Sequence, residues 1–308
     1  MRIATHPYSR TLQTLPPEPH KATRIAAAVL LVVPLLAGAC VRKTTLEFDG
    51  RAALELAERQ LAFGPRIPGT PGHAETSAWI ESSLAMLGWE TNVHDVSYQG
   101  VELHNVVGRR GTSEDGPLVI GAHYDTRPRA DRDPVSPDVP VPGANDGASG
   151  VGVLLELARV LPPDLGGLEI WLVFFDGEDS GGLGGWQWSA GSTAFVADLA
   201  VTPQAVVIVD MVGDADLRLP RERSSDPGLV DEIWNIAAGM GADAFVQEPG
   251  VTIMDDHWPF LLQGIPAADI IDLDYAYWHT TADTLDKISG ESLQQVGRVV
   301  QAWILSRR

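Results

Sequence analysis

Apolar residues fall into two kinds of run along most of this chain, and the two kinds alternate. Runs with three- and four-residue spacing are typical of amphipathic helices, and short continuous runs are typical of buried strands. Helices are predicted at 49–61, 78–87, 150–161, 190–200, 227–239, 260–262 and 292–304. Strands are predicted at 89–98, 104–108, 119–122, 168–175, 205–209 and 267–271.

This alternation predicts an α/β fold, a three-layer sandwich in which helices cover both faces of a central mixed, mostly parallel β-sheet. The apolar run 171–175 indicates a strand that is buried on both faces. The stretch 63–72 alternates proline with glycine and predicts a rigid turn. The loop 127–142, rich in aspartate and proline, is expected to rim a cleft. We find no internal repeat or heptad array in the sequence.

The first forty residues have a different pattern. Lys21 and Arg24 precede an apolar run, 25–37, that is too short for a membrane span of ~20 residues. Small residues then lead to Cys40, the one cysteine of the sequence, as in a bacterial lipobox. The domain prediction is therefore a lipoprotein-type signal peptide at 1–39, a tether at 40–50 and a single domain at 51–308. An ordinary signal peptide or an uncleaved anchor with an incidental cysteine is the alternative.

The charge of the chain excludes one class of partner. The formal net charge is −19 at pH 7, whereas a nucleic-acid-binding protein needs a basic face for the phosphates. No nucleic acid is therefore expected as a partner. With a single cysteine no internal disulfide can form, so an exported domain must be stabilised by packing alone.

Acidic residues and histidines follow the apolar runs at five points. They are His123 with Asp125, Asp146, Glu178 with Asp179, Asp210, and His279. The carboxyl ends of parallel strands meet at one edge of a sheet, where open α/β sheets bind ligands. Carboxylate and imidazole donors suit Zn²⁺. The sequence therefore predicts a zinc site at the strand carboxyl ends.

Each cluster also has an ordinary structural interpretation. His123 and Asp125 could form a polar pair at a sheet edge, and Asp146 could cap the following helix, since aspartate is favoured there. Glu178 and Asp179 could belong to a solvated acidic turn. Against this, adjacent carboxylates after a buried strand repel one another unless a cation lies between them or one is protonated.

Further polar and aromatic residues occupy the same loops. Asp255, Asp256 and His257 form a candidate cluster that would orient metal ligands or hold a proton. Four tryptophans either pack under the loops or wall a pocket: Trp186, Trp188, Trp258 and Trp278.

The sequences of these motifs and their order along the chain resemble those of the animal-type glutaminyl-peptide cyclotransferases, which share a fold and ancestry with the zinc aminopeptidases. The strings are RIPGTPG (66–72), GAHYD (121–125), NDGASG (145–150), FDGED (175–179), DDHWPF (255–260) and WHT (278–280). The resemblance spans residues ~50–305. One departure is Asp179, where the family usually has a second glutamate with a longer reach to the metal.

As a cyclase, the chain would convert N-terminal glutamine of peptides or proteins to pyroglutamate with loss of ammonia. The resemblance implies that Asp146, Asp179 and His279 bind one Zn²⁺ and that Glu178 transfers the proton. It also implies that Asp210 and Asp256 hydrogen-bond around Glu178. Trp188 and Trp278, with Trp186 as a further candidate, would wall the glutamine pocket.

Two other functions stay open. A zinc aminopeptidase would hold two metals and cleave N-terminal residues from peptides, with His123 and Asp210 completing the second metal site. A zinc-stabilised lipoprotein or binding module would use the scaffold without catalysis. In each case lipidation of Cys40 would attach an exported protein to a membrane, facing the periplasm or cell exterior of a bacterium.

Overall fold

The computed structural model describes residues 11–17 and 46–308. Residues 11–17 form neither helix nor strand. Cys40 and most of the predicted signal peptide lie outside the described residues. None of the helices in 46–308 is long and apolar enough to cross a membrane.

The described domain contains helices and strands in alternation. The helices are α1 (Gly50–Leu61), α2 (Pro71–Met86), α3 (Ala148–Val160), α4 (Ala190–Ala197), α5 (Pro227–Met240), α6 (Trp258–Leu262) and α7 (Gly290–Ser306), with a 3-10 turn at Leu285–Lys287. The strands are β1 (Glu90–Tyr98), β2 (Val101–Gly111), β3 (Leu118–His123), β4 (Glu169–Phe175), β5 (Ala205–Asp210), β6 (Leu219–Arg221), β7 (Phe245–Pro249) and β8 (Ala267–Ile271). All predicted strands and helices are present, most with bounds shifted by a few residues. Helix α2 begins at Pro71, seven residues before its predicted start and within the predicted turn 63–72.

The central sheet has six strands in the order β1-β2-β4-β3-β5-β8. Strands β4, β3, β5 and β8 run parallel, and β1 and β2 add an antiparallel edge. The hairpin between β1 and β2 turns through Gln99 and Gly100, both at positive φ (50° and 82°), as a tight two-residue turn requires. The predicted mixed, mostly parallel sheet is confirmed.

Helices cover both faces of this sheet. Leu118 and Ile120 of β3 point into a large apolar core with residues of α1, α2, α3, α5 and α7. Val119, between them, points into a smaller core with Phe195 of α4 and Phe260 of α6. Because successive side chains of a strand alternate between faces, one strand serves both cores. The three-layer sandwich is confirmed.

A second, two-stranded sheet was not predicted. It pairs β6 with β7 in parallel, and the strands have three and five residues. Each contains a proline, and β7 is mostly exposed, so neither carries the apolar run on which the strand predictions rested.

Candidate active site

The predicted ligand residues meet at the carboxyl edge of the parallel strands. His123 is the last residue of β3 and Asp210 the last of β5, while Glu178 and Asp179 lie in the loop after β4. Asp146 lies just before α3. The N-cap of that helix is Gly147, and no side chain makes a capping hydrogen bond there, so the helix-capping interpretation of Asp146 is wrong.

Two groups of potential metal ligands form there, and Asp146 belongs to both. In the first, His279 Nε2 lies 3.2 Å from Asp179 Oδ1 and 3.7 Å from Asp146 Oδ2. In the second, His123 Nε2 lies 3.2 Å from Asp146 Oδ1 and 3.1 Å from Asp210 Oδ1. Within each group the candidate ligand atoms are all within 4.8 Å of one another. Asp146 offers one carboxylate oxygen to each group, so these residues would hold a metal ion at the first group alone or one at each group.

The donor set fits zinc. Asp146 Oδ2 and both carboxylate oxygens of Asp179 are buried without a hydrogen-bond partner. Buried carboxylates of this kind are costly unless a cation compensates them. Two carboxylates and one imidazole in the first group match the mixed oxygen and nitrogen ligands of catalytic zinc sites, which leave one position open.

The protonation tendencies of the two histidines differ. Burial lowers the pKa of His279 to about 4, which keeps the ring neutral, as a metal ligand must be. Burial also opposes the charged form of His123, but the negative charge of Asp210 and hydrogen bonds to nearby carboxylates raise its pKa well above the usual range. The surroundings of His123 therefore attract positive charge.

Two further aspartates hold the ligand-bearing loops from behind. Asp125 accepts hydrogen bonds from the backbone N–H groups of Glu178 and Asp179, each at 3.1 Å. Asp283 accepts from the N–H groups of Asn145 and Asp146 at 2.8 and 3.1 Å, and from Tyr275 Oη at 2.7 Å. Asp125 was predicted to belong to the site, whereas Asp283 was missed. Its position four residues after His279 is the one signal in the sequence that could have suggested it.

Backbone strain is concentrated near the site. Ser189, Met211 and His279 have φ values of 54°, 47° and 57°, a region that non-glycine residues seldom occupy. Met211 directly follows Asp210, and His279 is itself a candidate ligand. Strained residues of this kind are often found at functional sites, where the surrounding contacts hold them.

A cavity of about 490 Å³ opens onto the first ligand group. Glu178, Asp210 and Asp255 line it together with Asp146 and His279. Its remaining walls are largely apolar or aromatic: Trp188, Met211, Thr252, Ile253, Met254, Trp258, Ile271, Leu273 and Trp278. A mostly apolar concavity with a few convergent polar groups is the usual form of a small-ligand site.

Three of the four tryptophans wall this cavity, and the fourth lies elsewhere. The Trp188 ring stacks on His279, with centroids 6.1 Å apart and planes 10° apart, and Trp278 packs on the same imidazole at 4.2 Å. Trp186 packs edge-on against Tyr98 and lines a separate groove with Leu183. The structure therefore does not bring Trp186 to the pocket where it was predicted to be.

The acidic pair at 255 and 256 is divided between two environments. Asp255 lines the cavity, whereas Asp256 is fully buried and does not line it. Burial, then the charge of Asp255, raise the pKa of Glu178 well above the usual range. Burial raises the pKa of Asp256 to about 7. The residue of this pair that adjoins Glu178 in the cavity is Asp255, which was predicted only as part of the supporting cluster.

His257 extends this acidic region away from the cavity. Its Nδ1 lies 3.6 Å from Asp269 Oδ2, and its Nε2 lies 3.1 Å from Ser224 Oγ. Burial lowers the pKa of His257 to about 4. Asp255, His257 and Asp269 thus form a third buried group, adjoining the cavity through Asp255.

Comparison with known proteins relates the chain to one enzyme family. The profile of the family described as Peptidase family M28 matches residues 105–304. Glutaminyl-peptide cyclotransferase from Bos taurus is 24% identical over 286 residues, covering 78% of each chain.

Two solved bacterial structures share the fold over most of the chain. Bacteroides thetaiotaomicron glutaminyl cyclase, bound to N-acetylhistamine, has a TM-score of 0.80 and 30% identity, covering 86% of this chain and all of the other. A Zn-dependent exopeptidase from Parabacteroides distasonis has the same TM-score and identity and covers 85% of this chain. The resemblance predicted from the motifs is confirmed at the level of the family and its cyclase and exopeptidase members.

Proposed function

The chain belongs to peptidase family M28, and from the site it carries we propose that it is a zinc-dependent glutaminyl-peptide cyclotransferase. Its substrates would be peptides or proteins with an N-terminal glutamine. The observation that carries this proposal is the grouping of Glu178, Asp210 and Asp255 beside the first ligand group, in a cavity walled by Trp188 and Trp278. The similarity to a bacterial glutaminyl cyclase over 86% of this chain supports it.

One zinc ion, held by Asp146, Asp179 and His279, would act as a Lewis acid on the γ-carbonyl oxygen of the substrate glutamine. His279 supplies a neutral imidazole, and the two carboxylates supply negative charge. Trp188 and Trp278 lie against the imidazole and also line the cavity that opens onto the ligand group. We propose that the two rings hold the glutamine side chain in line with the α-amine.

Glu178 would move the proton. The α-amine nitrogen attacks the γ-amide carbon, the bond from that carbon to the amide nitrogen breaks, and a five-membered lactam forms. Glu178 takes one proton from the amine and passes it to the departing nitrogen, which leaves as ammonia. The raised pKa of Glu178 suits a group that must both accept and return a proton near neutral pH. Asp210 and Asp255 would hold the amine in place.

A zinc aminopeptidase is the second candidate, and one observation favours it. His123, Asp146 and Asp210 form a complete second ligand group next to the first. With a metal in each group, Glu178 would serve as general base for the water that attacks the peptide bond. The Zn-dependent exopeptidase from Parabacteroides distasonis supports the aminopeptidase candidate. Its identity to this chain, 30%, equals that of the bacterial glutaminyl cyclase.

Substrate assays with metal analysis separate the two. A cyclase is expected to release ammonia from a Gln-peptide, to shorten no peptide chain and to hold about one zinc per chain. An aminopeptidase is expected to cleave Leu- or Ala-anilides and to hold about two. Zinc-loaded protein that releases no ammonia from several Gln-peptides would overturn the cyclase proposal.

We also propose that the protein is exported and held at a bacterial membrane by a lipid on Cys40. The support is the sequence alone, an apolar run of signal-peptide length that ends in small residues and the single cysteine. Expression in a bacterial host followed by membrane fractionation tests it. Cys40→Ser is expected to release the protein from the membrane fraction or leave it unprocessed. A wild type that is fully recovered in the soluble fraction would contradict the proposal.

A further inference from the structure

Arg127 is a buried arginine that contacts three parts of the candidate site. Its side chain is 4% exposed. Nε and Nη2 bind the two carboxylate oxygens of Asp131 at 2.6 and 2.9 Å. Nη1 donates to the backbone oxygens of Asp179 and Gly181 at 2.9 and 3.1 Å. The guanidinium carbon also lies 5.2 Å from the centre of the Trp188 ring.

Asp131 in turn faces His279. Its Oδ1 lies 3.5 Å from His279 Nδ1, the ring nitrogen opposite to the one that points at Asp146 and Asp179. A carboxylate on the far nitrogen of a metal-binding histidine fixes the tautomer and the orientation of the ring. It also makes the other nitrogen a stronger donor to the metal.

We propose that Arg127 and Asp131 are positioning residues that set the zinc affinity of the site. Arg127 fixes the Asp131 carboxylate against His279 and simultaneously fixes the backbone of Asp179. Two of the three zinc ligands are thereby held by one guanidinium. The inference rests on the proposed zinc site, but it applies equally to a cyclase and to an aminopeptidase.

The loop that carries these two residues is built to keep them in place. The N–H of Val141 donates to the backbone oxygen of Arg127, and the N–H of Arg132 donates to the backbone oxygen of His279. Asp133 Oδ1 accepts hydrogen bonds from the backbone N–H groups of Val135 and Ser136 in its own loop. Asp133 Oδ2 accepts from the backbone N–H and the hydroxyl of Thr281. The loop from residue 127 is therefore attached directly to the segment that carries His279.

Lysine at position 127 could not make the set of contacts that Arg127 makes. A guanidinium presents a planar fork that binds a carboxylate through two atoms while a third nitrogen reaches the carbonyls. A lysine ammonium would supply the charge but could not span Asp131 and both carbonyl oxygens. Arg127→Lys is thus expected to behave much like Arg127→Met in zinc binding.

Zinc affinity, measured on the purified protein by competition with a chromogenic chelator, tests the proposal. Arg127→Met and Asp131→Ala are expected to weaken zinc binding by about 10- to 100-fold, the usual effect of losing such a partner. The double variant is expected to be little weaker than Arg127→Met, since Asp131 acts only on His279 and depends on Arg127 for its position, whereas Arg127 also fixes the backbone of Asp179. Arg129→Met is the matched control, because Arg129 lies in the same loop and pairs with Asp138 at the surface.

Two measurements on Asp131→Ala, its zinc affinity and its turnover in excess zinc, distinguish a positioning role from a general loss of structure. If Arg127→Met does not fold, Asp131→Ala decides, because the Asp131 side chain is 36% exposed and its loss is easier to tolerate. Excess zinc is expected to restore most of the turnover of Asp131→Ala, which a general loss of structure would prevent. If Arg127→Met and Asp131→Ala fold and bind zinc within about twofold of the wild type, instead of the expected weakening of about 10- to 100-fold, the proposal is overturned. Weakened zinc binding in a protein that cyclises no Gln-peptide would overturn the proposed function and leave this inference standing.

Discussion

Oδ1 of Asp179 lies 3.2 Å from Nε2 of His279, so two residues that are one hundred positions apart in the chain face the same point. The neighbouring Glu178 has a different environment, because its side chain lines the cavity beside Asp255. Asp125 explains how adjacent residues keep separate directions, since it binds the backbone N–H groups of both. The pair therefore has the geometry of one metal ligand beside one acid–base group.

Asp179→Ala is expected to lower the zinc content of the purified protein to well below one per chain. The substitution removes one of the three ligands of the first group, and metal affinity depends on each deprotonated ligand. Elemental analysis after dialysis against metal-free buffer measures it. An Asp179→Ala protein that keeps a full complement of zinc would show that the ligand is misassigned.

Glu178→Gln is expected to keep zinc and fold while turnover falls by roughly 10²- to 10⁴-fold, the range for loss of a general acid–base group. Glutamine has the shape of glutamate but cannot accept the proton. Ammonia release from a Gln-peptide gives kcat, and zinc content measured on the same sample serves as the control. Unchanged kcat at full zinc occupancy would remove Glu178 from the mechanism.

Trp278→Ala is expected to raise KM for Gln-peptides by about 10- to 100-fold, from the loss of ~1.5–3 kcal/mol of apolar contact. Trp278 lines the cavity, whereas Trp186 lines a separate groove. Trp186→Ala is the matched control and should leave KM within about twofold of the wild type on the same scale. Since Trp278 also packs on His279, zinc content is measured in both variants. A larger effect from Trp186 would mean that the substrate uses the other groove.

The sequence was most informative where a strand ends in a polar residue. His123, Asp210 and the pair after β4 could be placed at one edge because parallel strands align their carboxyl ends. The three-layer arrangement followed from the alternation of helices and strands. By contrast, β6 and β7 pair across more than twenty residues with little apolar character, and nothing local indicates that they meet.

The direction in which a loop side chain points could not be predicted from the spacing of apolar and polar residues. Asp255 and Asp256 are adjacent and chemically identical, so the choice between them depends on loop backbone angles that periodicity does not encode. The same holds for Trp186 and Trp188, which are two residues apart and line different cavities. The contacts of Asp131 and Asp283 with the ligand residues could not be predicted either, because each contact joins two separate loops.

The stability of the domain should respond to pH through His73. His73 Nε2 lies 2.7 Å from Asp176 Oδ2, and the His73 side chain is 2% exposed. Burial by itself lowers the pKa of His73, but the hydrogen bond and charge of Asp176 outweigh it, and the pKa is raised. A histidine with a raised folded pKa stabilises the protein below its ordinary pKa, and this stabilisation is lost as pH rises through the folded pKa.

His73→Gln removes this titration. The melting temperature of the wild type should exceed that of the variant by more at about pH 6 than at about pH 9, since the charged pair is present only at the lower pH. Thermal unfolding of both proteins at fixed zinc and salt concentrations measures the difference. A gap that is constant or widens as pH rises would contradict a raised pKa for this histidine.

Asp255→Asn is expected to lower kcat more than Asp256→Asn does, although both side chains are buried and acidic. Asp255 lines the cavity, and its charge raises the pKa of Glu178, so its replacement alters the proton-transfer group directly. Loss of that negative charge should lower the pKa of Glu178 and shift the acidic limb of the kcat profile to lower pH. Asp256 is a smaller cause of the raised pKa of Glu178, so Asp256→Asn is expected to shift the limb less, and it controls for burying an amide at this depth. Kinetics across a pH series, with zinc content checked in each variant, separates the two residues. A greater loss of kcat in Asp256→Asn, with the pH profile of Asp255→Asn unmoved, would assign the role to Asp256.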